Sequence, residues 1–305
     1  MQSTLATTDA RASGSGADDL ARVLNDWFRR EARDLPWRRP GFGAWGILVS
    51  EVMLQQTPVV RVIPRLAEWL DRWPTPSDLA DAPPSEAIRA WAGLGYPRRA
   101  LRLHACAVAI AERHGGEVPS DIEELLALPG IGDYTARAVA AFAYGKRHPV
   151  VDTNVRRFLA RCVDGLGEPG PPAVRRDLAS MESVLPVDDA EARVFNAAAM
   201  ELGAVICTAR APRCGLCPVA SECAWLGAGK PAYLGARRAV QKRYEGSDRQ
   251  ARGILLATLR KAVAPVPADE LETLWPHREQ RARALAGLVS DGLAVAGDDG
   301  YRLPD

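Results

Sequence analysis

The chain has 305 residues, 47% hydrophobic and 25% charged, the balance of an ordinary globular protein with material for about two domains. A formal net charge of +1 leaves bulk charge neutral on the question of nucleic-acid binding. No apolar run is long enough to span a membrane, and MQSTLATTDARASGSGADD lacks the apolar stretch of a signal peptide, so the expected address is cytoplasmic.

In chain order, residues 1–17 are rich in Ser, Thr, Gly, Ala and Asp and read as a disordered tail. From Asp18 to Leu226 the pattern is one of consecutive helices with short loops. DDLARVLNDWFRREA opens on Asp caps and places Leu20, Val23, Leu24, Trp27 and Phe28 at helical spacing. GAWGILVSEVMLQQT is apolar nearly all round and should be buried. Pro58, Pro64, Pro74, Pro76, Pro83 and Pro84 punctuate the helices that follow. LRLHACAVAIAERHGG is a helix stopped by Gly115-Gly116, and SDIEELLALPGIGDYTARAVAAFAYG is two helices joined by a tight hairpin. Residues 227–248 form a basic, Gly-containing linker. Residues 249–305 read as three helices and a β-hairpin turning near Asp299-Gly300, a small winged-helix-like domain. The predicted fold is mainly α, in two lobes.

Four segments carry chemistry. In LPGIG (Leu128, Gly130, Ile131, Gly132) glycines permit a sharp turn, and the following helix start leaves N–H groups free for a phosphate. The plain alternative is a helix connection without a ligand. Cys207, Cys214, Cys217 and Cys223 lie close together, with only one Cys-x-x-Cys pair. Four thiolates suit tetrahedral zinc or a [4Fe–4S] cluster, and the unequal outer gaps favour the cluster. Cys106 and Cys162 read as small core residues. Lys230, Arg237 and Arg238 follow the cysteines and could face phosphates or simply solvent.

Glu51 shares a helix face with Ile47 and Leu54, where poor solvation should raise its pKa and keep a proton available. Asp152 precedes the helical TNVRRFLARCV, and an N-cap there should be kept ionised by the helix dipole. One neutral acid and one anion suit glycosidic cleavage: the first protonates the leaving group, and the second stabilises the oxocarbenium-like sugar. Each could instead be purely structural.

LPWR (35–38), SEVMLQQT (50–57), GLGY (93–96), LPGIGDYTA (128–136), VDTNV (151–155), MELGA (200–204) and the four cysteines together resemble the helix-hairpin-helix DNA glycosylases with an iron–sulfur loop, nearest their adenine-specific branch. The resemblance covers residues 35–223. It implies a glycosylase core over 18–226 with a [4Fe–4S] loop at 207–223. It implies that Glu51 protonates N7 of an extruded adenine and that Asp152 stabilises the sugar cation, with Asn154 and Tyr134 beside it. It places Trp37, Arg38, Leu54 and Glu201 in an adenine pocket, and Gln56 and Tyr96 as wedges in the duplex. The implied substrate is double-stranded DNA with A:8-oxoguanine or A:G mispairs, met by a monomer that associates with the nucleoid. Tyr134 stands where strand-cleaving relatives carry a Schiff-base lysine, so base removal without strand cleavage is expected. A thymine or uracil mismatch glycosylase and a non-catalytic iron–sulfur DNA binder are the rival readings.

Two departures stand out. Pro97-Arg98-Arg99 follows GLGY where the family more often has a second Tyr. Residues 249–305 replace the larger β domain with which the family commonly reads 8-oxoguanine. Arg278, Arg281 and Arg283 on one predicted helix there suggest DNA binding as the segment's role, against plain packing.

Overall fold

The computed structural model describes residues 14–236 and 243–305. Of the expected disordered tail 1–17, residues 1–13 lie outside the described residues, as do the linker arginines Arg237 and Arg238, and residues 14–17 are instead the first turn of a helix. In chain order the helices are α1 (Gly14–Glu31), α2 (Ala44–Leu54), α3 (Val59–Arg72), α4 (Pro76–Ala80), α5 (Pro84–Trp91), α6 (Arg98–His114), α7 (Ile122–Leu126), α8 (Asp133–Tyr144), α9 (Thr153–Cys162), α10 (Val174–Glu182), α11 (Asp189–Val205), α12 (Ala224–Gly227), α13 (Asp248–Lys261), α14 (Ala268–Glu272) and α15 (Arg278–Ser290). A short antiparallel ribbon, β1 (Val295–Gly297) and β2 (Gly300–Arg302), closes the chain, and Val266 pairs with Tyr301 as an isolated bridge. Among the described residues, no helix is long and apolar enough to cross a membrane.

One helix start and one proline differ from expectation. α1 begins at Gly14, so Asp18 and Asp19 lie inside the helix instead of capping it. Leu20, Leu24 and Trp27 are buried, and a helix anchored by such a stripe propagates cheaply past its first apolar residue. Pro64 lies within α3, whereas Pro58 is that helix's N-cap and Pro76 and Pro84 occupy the first positions of α4 and α5. A proline at 64 removes the hydrogen bond to the carbonyl of Val60, a residue 78% exposed.

The chain forms two compact units, one of residues 14–34 and 140–236, the other of 35–139 and 243–305. The first has a core of Leu20, Leu24, Val155, Phe158, Phe195 and Leu202, against which Cys207, Cys217 and Cys223 pack. In the second, α2 is buried from Trp45 to Met53, which explains its apolar character on every side.

Residues 249–305 were expected to stand apart as a domain; they belong instead to the same unit as 35–139. The cause is visible in their core, where Ile88 of α5 joins Leu255, Leu259, Leu271 and Leu288. Arg89 adds hydrogen bonds from its guanidinium to the carbonyls of Arg260 and Ala262. The three helices and ribbon form as predicted, but the three arginines of α15 differ in exposure: Arg278 and Arg283 are exposed and Arg281 is not. Arg281 is buried and donates to the carbonyls of Glu272 and Trp275, and Arg283 faces Asp248. Burial takes Arg281 out of any face shared by the three arginines.

Arg99 is the main polar tie of this unit. Its guanidinium is buried and donates to the carbonyls of Val52 (2.7 Å) and Met53 (3.0 Å), to the Thr57 hydroxyl (3.0 Å) and to the carbonyls of Leu94 (3.3 Å) and Gly95 (3.0 Å). Burial lowers its pKa to about 10, still far above neutrality. Arg99→Met leaves these oxygens buried and unpaired, and is expected to cost about 3 kcal/mol or more in urea unfolding. An unchanged midpoint would show that the tie is dispensable.

Candidate active site and iron–sulfur centre

The residues singled out from the sequence divide between the two units. Residues 35–139 hold Trp37, Arg38, Glu51, Leu54, Gln56, Tyr96, the 128–132 hairpin and Tyr134. Residues 140–236 hold Asp152, Asn154, Glu201 and the cysteines.

In the unit containing residues 35–139, Glu51 is 4% exposed in the middle of α2. Its Oε2 accepts a hydrogen bond from the Tyr134 hydroxyl at 2.9 Å. Tyr134 reaches it from the first turn of α8, directly after the hairpin, so the turn that could cradle a phosphate also sets a partner of the buried acid. Gly130 has φ +79°, and a Cβ there would stand 2.7 Å from Cβ of Arg102, so only glycine fits. A Cβ at Gly132 would meet nothing within 4 Å, which leaves that side of the helix start open. Leu128 and Ile131 are buried and hold the turn to its unit. Trp37 and Arg38 sit half-buried on a 3-10 turn, Pro36–Arg38, and Leu54 is half-buried at the end of α2. Gln56 and Tyr96 are exposed, and both adopt left-handed backbone, φ 55° and 48°.

In the other unit, Asp152 is the N-cap of α9, as predicted. Its Oδ1 accepts from the N–H groups of Asn154 (2.8 Å) and Val155 (2.7 Å), and its Oδ2 accepts from the Asn154 side-chain amide at 2.8 Å. Burial nevertheless pushes its carboxyl above the ordinary carboxylate range; the Val155 and Asn154 hydrogen bonds and the charge of Arg157 recover only part of that shift. The expectation that the helix start alone favours the anion is therefore corrected, because desolvation is the larger effect.

Asn154 is held in turn: Arg157 donates to its Oδ1 at 2.9 Å, and to the carbonyls of Gly203 and Cys207 at 2.6 Å each. A Cβ at Gly203 would stand 2.7 Å from the carbonyl oxygen of Asn154, which accounts for the glycine of MELGA. Glu201, two residues earlier, is 1% exposed and takes a two-pronged ion pair from Arg33, Nε to Oε1 at 2.6 Å and Nη2 to Oε2 at 2.8 Å. Arg33, Arg157 and Arg161 were not singled out from sequence. Arg157 and Arg161 could have been: with Asn154 they recur every three or four residues, along one face of α9. Nothing local marks Arg33.

The four cysteines line one open hollow with Ile206, Pro212, Ala220 and Leu226. Among the described residues no three His, Cys, Asp or Glu side chains are grouped to hold one metal ion. Sulfurs gathered round a hollow suit a multinuclear cluster, each iron taking one cysteine, better than a single tetrahedral zinc. Arg161 fits the charge such a cluster brings: its Nη1 lies 3.4 Å from the Cys207 sulfur, and its guanidinium stacks 4.9 Å from the Trp225 ring centroid. Cys106 is buried core, as read. Cys162 is buried too, but in the core against which Cys207, Cys217 and Cys223 pack.

A helical base-excision repair protein carrying an iron–sulfur loop is the class these features define. Residues 49–182 match the model of the HhH-GPD superfamily of base excision DNA repair proteins, and 207–223 match the iron–sulfur binding domain of endonuclease III. The chain is 55% identical to the adenine DNA glycosylase of Mycolicibacterium smegmatis over 91% of its own length and 93% of that protein. It is 45% identical to the human adenine DNA glycosylase over 66% of its length and 38% of the human protein. A solved thermostable thymine-DNA glycosylase superposes with a TM-score of 0.65 at 26% identity, covering 72% of this chain and all (100%) of that one. The chain belongs to the adenine DNA glycosylase family of that superfamily, and its cofactor is a [4Fe–4S] cluster.

Two outcomes follow. Cys214→Ala should lose the broad visible absorbance and most of the iron of the purified protein; retention of both would exclude Cys214 as a ligand. For Asp152 the sign is set by its raised pKa: the wild type is favoured below the unfolded-state value and loses stability as pH rises through the folded one. The thermal stability of Asp152→Asn relative to wild type should therefore rise as pH increases from about 4. A relative fall would mean that the carboxyl is stabilised as the anion.

Proposed function

We propose that the protein removes adenine opposite 8-oxoguanine or guanine in double-stranded DNA by hydrolysing the N-glycosidic bond, with Glu51 as proton donor and Asp152 as the stabiliser of the sugar cation. The observation that carries this reading is a glutamic acid buried in an apolar helix, with a tyrosine hydroxyl on its carboxyl. Desolvation disfavours the charged form of such a group, and a protonated carboxyl in reach of a purine can deliver its proton to N7 as the glycosidic bond stretches. Tyr134 steadies the carboxyl from one oxygen. A phenol cannot form a Schiff base, so Tyr134 supports base removal without strand scission.

Asp152 suits the second role because its carboxylate accepts three hydrogen bonds and is held by its own helix start. Raised as its pKa is, it still has a set of partners that are all donors, which favours an anion facing developing positive charge. The oxocarbenium-like sugar would gain from that charge, and Asn154, fixed by Arg157, keeps Oδ2 in place. Trp37, Arg38 and Leu54 are proposed to hold the base, and Glu201, whose carboxylate is ion-paired with Arg33, is proposed to accept from an exocyclic amino group. Gln56 and Tyr96 are proposed to enter the duplex and offset the few kcal/mol that base extrusion costs. The hairpin 128–132 is proposed to hold a phosphate at the start of α8. When bound, the cluster supplies a rigid cross-link among Cys207, Cys214, Cys217 and Cys223.

A duplex panel tests the reading. The purified protein should release adenine from A:8-oxoguanine and A:G duplexes and leave T:G and U:G intact. Thymine or uracil release with no adenine release would assign it to the mismatch branch. Glu51→Gln and Asp152→Asn should each lower single-turnover adenine release by about 100-fold or more with duplex binding retained. Unchanged rates in either variant would remove that residue from the chemistry.

A further inference from the structure

Three non-glycine residues in the unit of 35–139 and 243–305 have left-handed backbone: Gln56 (φ 55°), Ala92 (φ 42°) and Tyr96 (φ 48°). A side chain in this region carries strain and persists where its surroundings over-determine it. Two of the three are the proposed wedges, and the third opens the loop that carries Tyr96. From within, Arg99 and Thr57 hold the loop: Arg99 donates to the carbonyls of Leu94 and Gly95, and the Thr57 hydroxyl donates to the carbonyl of Leu94 at 3.1 Å.

The other hold comes from the C-terminal segment, and it grips both ends of the loop. Before it, Ile88 is part of the C-terminal core, and Arg89 donates to the carbonyls of Arg260 and Ala262. At its start, Arg260 of α13 donates to the carbonyl of Ala92 at 2.6 Å. That carbonyl lies just past the end of α5, where unpaired carbonyls and the negative end of the helix dipole favour a cation. After the loop, Asp291 pairs with Arg98 at 3.2 Å and with Arg252 of α13, and Leu101 packs on the C-terminal core. The two arginines after GLGY, where the family more often has a second Tyr, are thus both anchors: Arg98 outward to Asp291, Arg99 inward.

We propose that residues 248–305 act as a brace that fixes loop 92–97 and so presents Tyr96 to the duplex, with Arg260 and Asp291 as its positioning residues. This rests on the reading of Tyr96 as a wedge. It gives the segment a role that does not require it to touch DNA, in keeping with the buried Arg281. The brace acts on a strained turn: without the Arg260 hydrogen bond, Ala92 is free to leave φ 42° and Tyr96 loses its fixed direction.

The test compares Arg260→Met and Asp291→Asn with Leu271→Ala, which weakens the same C-terminal core at a fully buried position but lies outside the loop contacts described above. Two measurements are made on the full-length, cluster-loaded protein: hydrogen exchange of the amides in loop 92–97, which are those of residues 92–96 because Pro97 has none, and single-turnover adenine release alongside duplex affinity. Arg260→Met and Asp291→Asn should speed exchange at 92–97 by about tenfold or more and slow adenine release by about tenfold, with duplex affinity within about threefold of wild type. Leu271→Ala should lower the melting temperature and leave both readouts near wild type. Exchange at 92–97 unchanged in both variants, or an equal effect from Leu271→Ala, overturns the brace. If Arg260→Met fails to fold, Asp291→Asn decides alone. If the wild type releases no adenine, the proposed substrate is wrong, and the exchange comparison still decides whether the segment holds the loop.

Discussion

Five oxygens share one buried guanidinium, and the geometry of the Glu51 unit follows from them. Hydrophobic burial sets how deep α2 lies, but a helix apolar on every side has no face that fixes its rotation. Hydrogen bonds to a charged group are directional, and a buried carbonyl deprived of its partner costs on the order of 1–3 kcal/mol. Arg99 takes the carbonyls of Val52 and Met53, next to Glu51 in sequence, and so gives the helix the orientation that greasy packing leaves open. The same group reaches Thr57, Leu94 and Gly95. One cation thereby connects the acid-bearing helix, the turn at Gln56 and the loop at Tyr96.

The two carboxyls illustrate how surroundings divide labour between chemically similar groups. Glu51 lies in an apolar helix and has a phenol on one oxygen. Asp152 lies under two N–H groups and an amide at the start of α9. The donors around Asp152 select for an anion, yet burial moves it the other way, so an anion there comes at a cost to the fold. Arg157 lightens that cost by its charge and by fixing Asn154. Its further bond to the Cys207 carbonyl puts the aspartate's immediate support and the first cysteine of the iron–sulfur loop on the same side chain.

Much of this was legible in the sequence where the signal was local. The all-round apolar run of α2, the glycine at 130 and the clustered cysteines announced a buried helix, a tight turn and a metal centre. What sequence could not show were pairings between residues far apart. Arg33 and Glu201 are separated by 168 positions, and no periodicity links them. The glycine at 130 was read for its backbone freedom, but the neighbour that forbids a side chain is Arg102, which only the folded chain brings near. Arginines were the main omission. Arg99, Arg157 and Arg161 were given no structural role from sequence, and all three donate to carbonyl groups within the fold. The C-terminal helices were placed correctly but given the wrong neighbours, because the core they share with Ile88 leaves no trace in either segment's pattern.

Ile88 sits in the same apolar cluster as Leu255, Leu271 and Leu303. A nascent chain emerging from the ribosome must therefore carry one half of that cluster exposed while the whole intervening unit-forming stretch is translated. Closing so long a loop is slow relative to local helix formation, and the waiting surface is open to mispairing in the meantime. Chaperone demand and sensitivity to premature termination codons should consequently concentrate in the final fifth of the message, although the acid-bearing helices are encoded long before it.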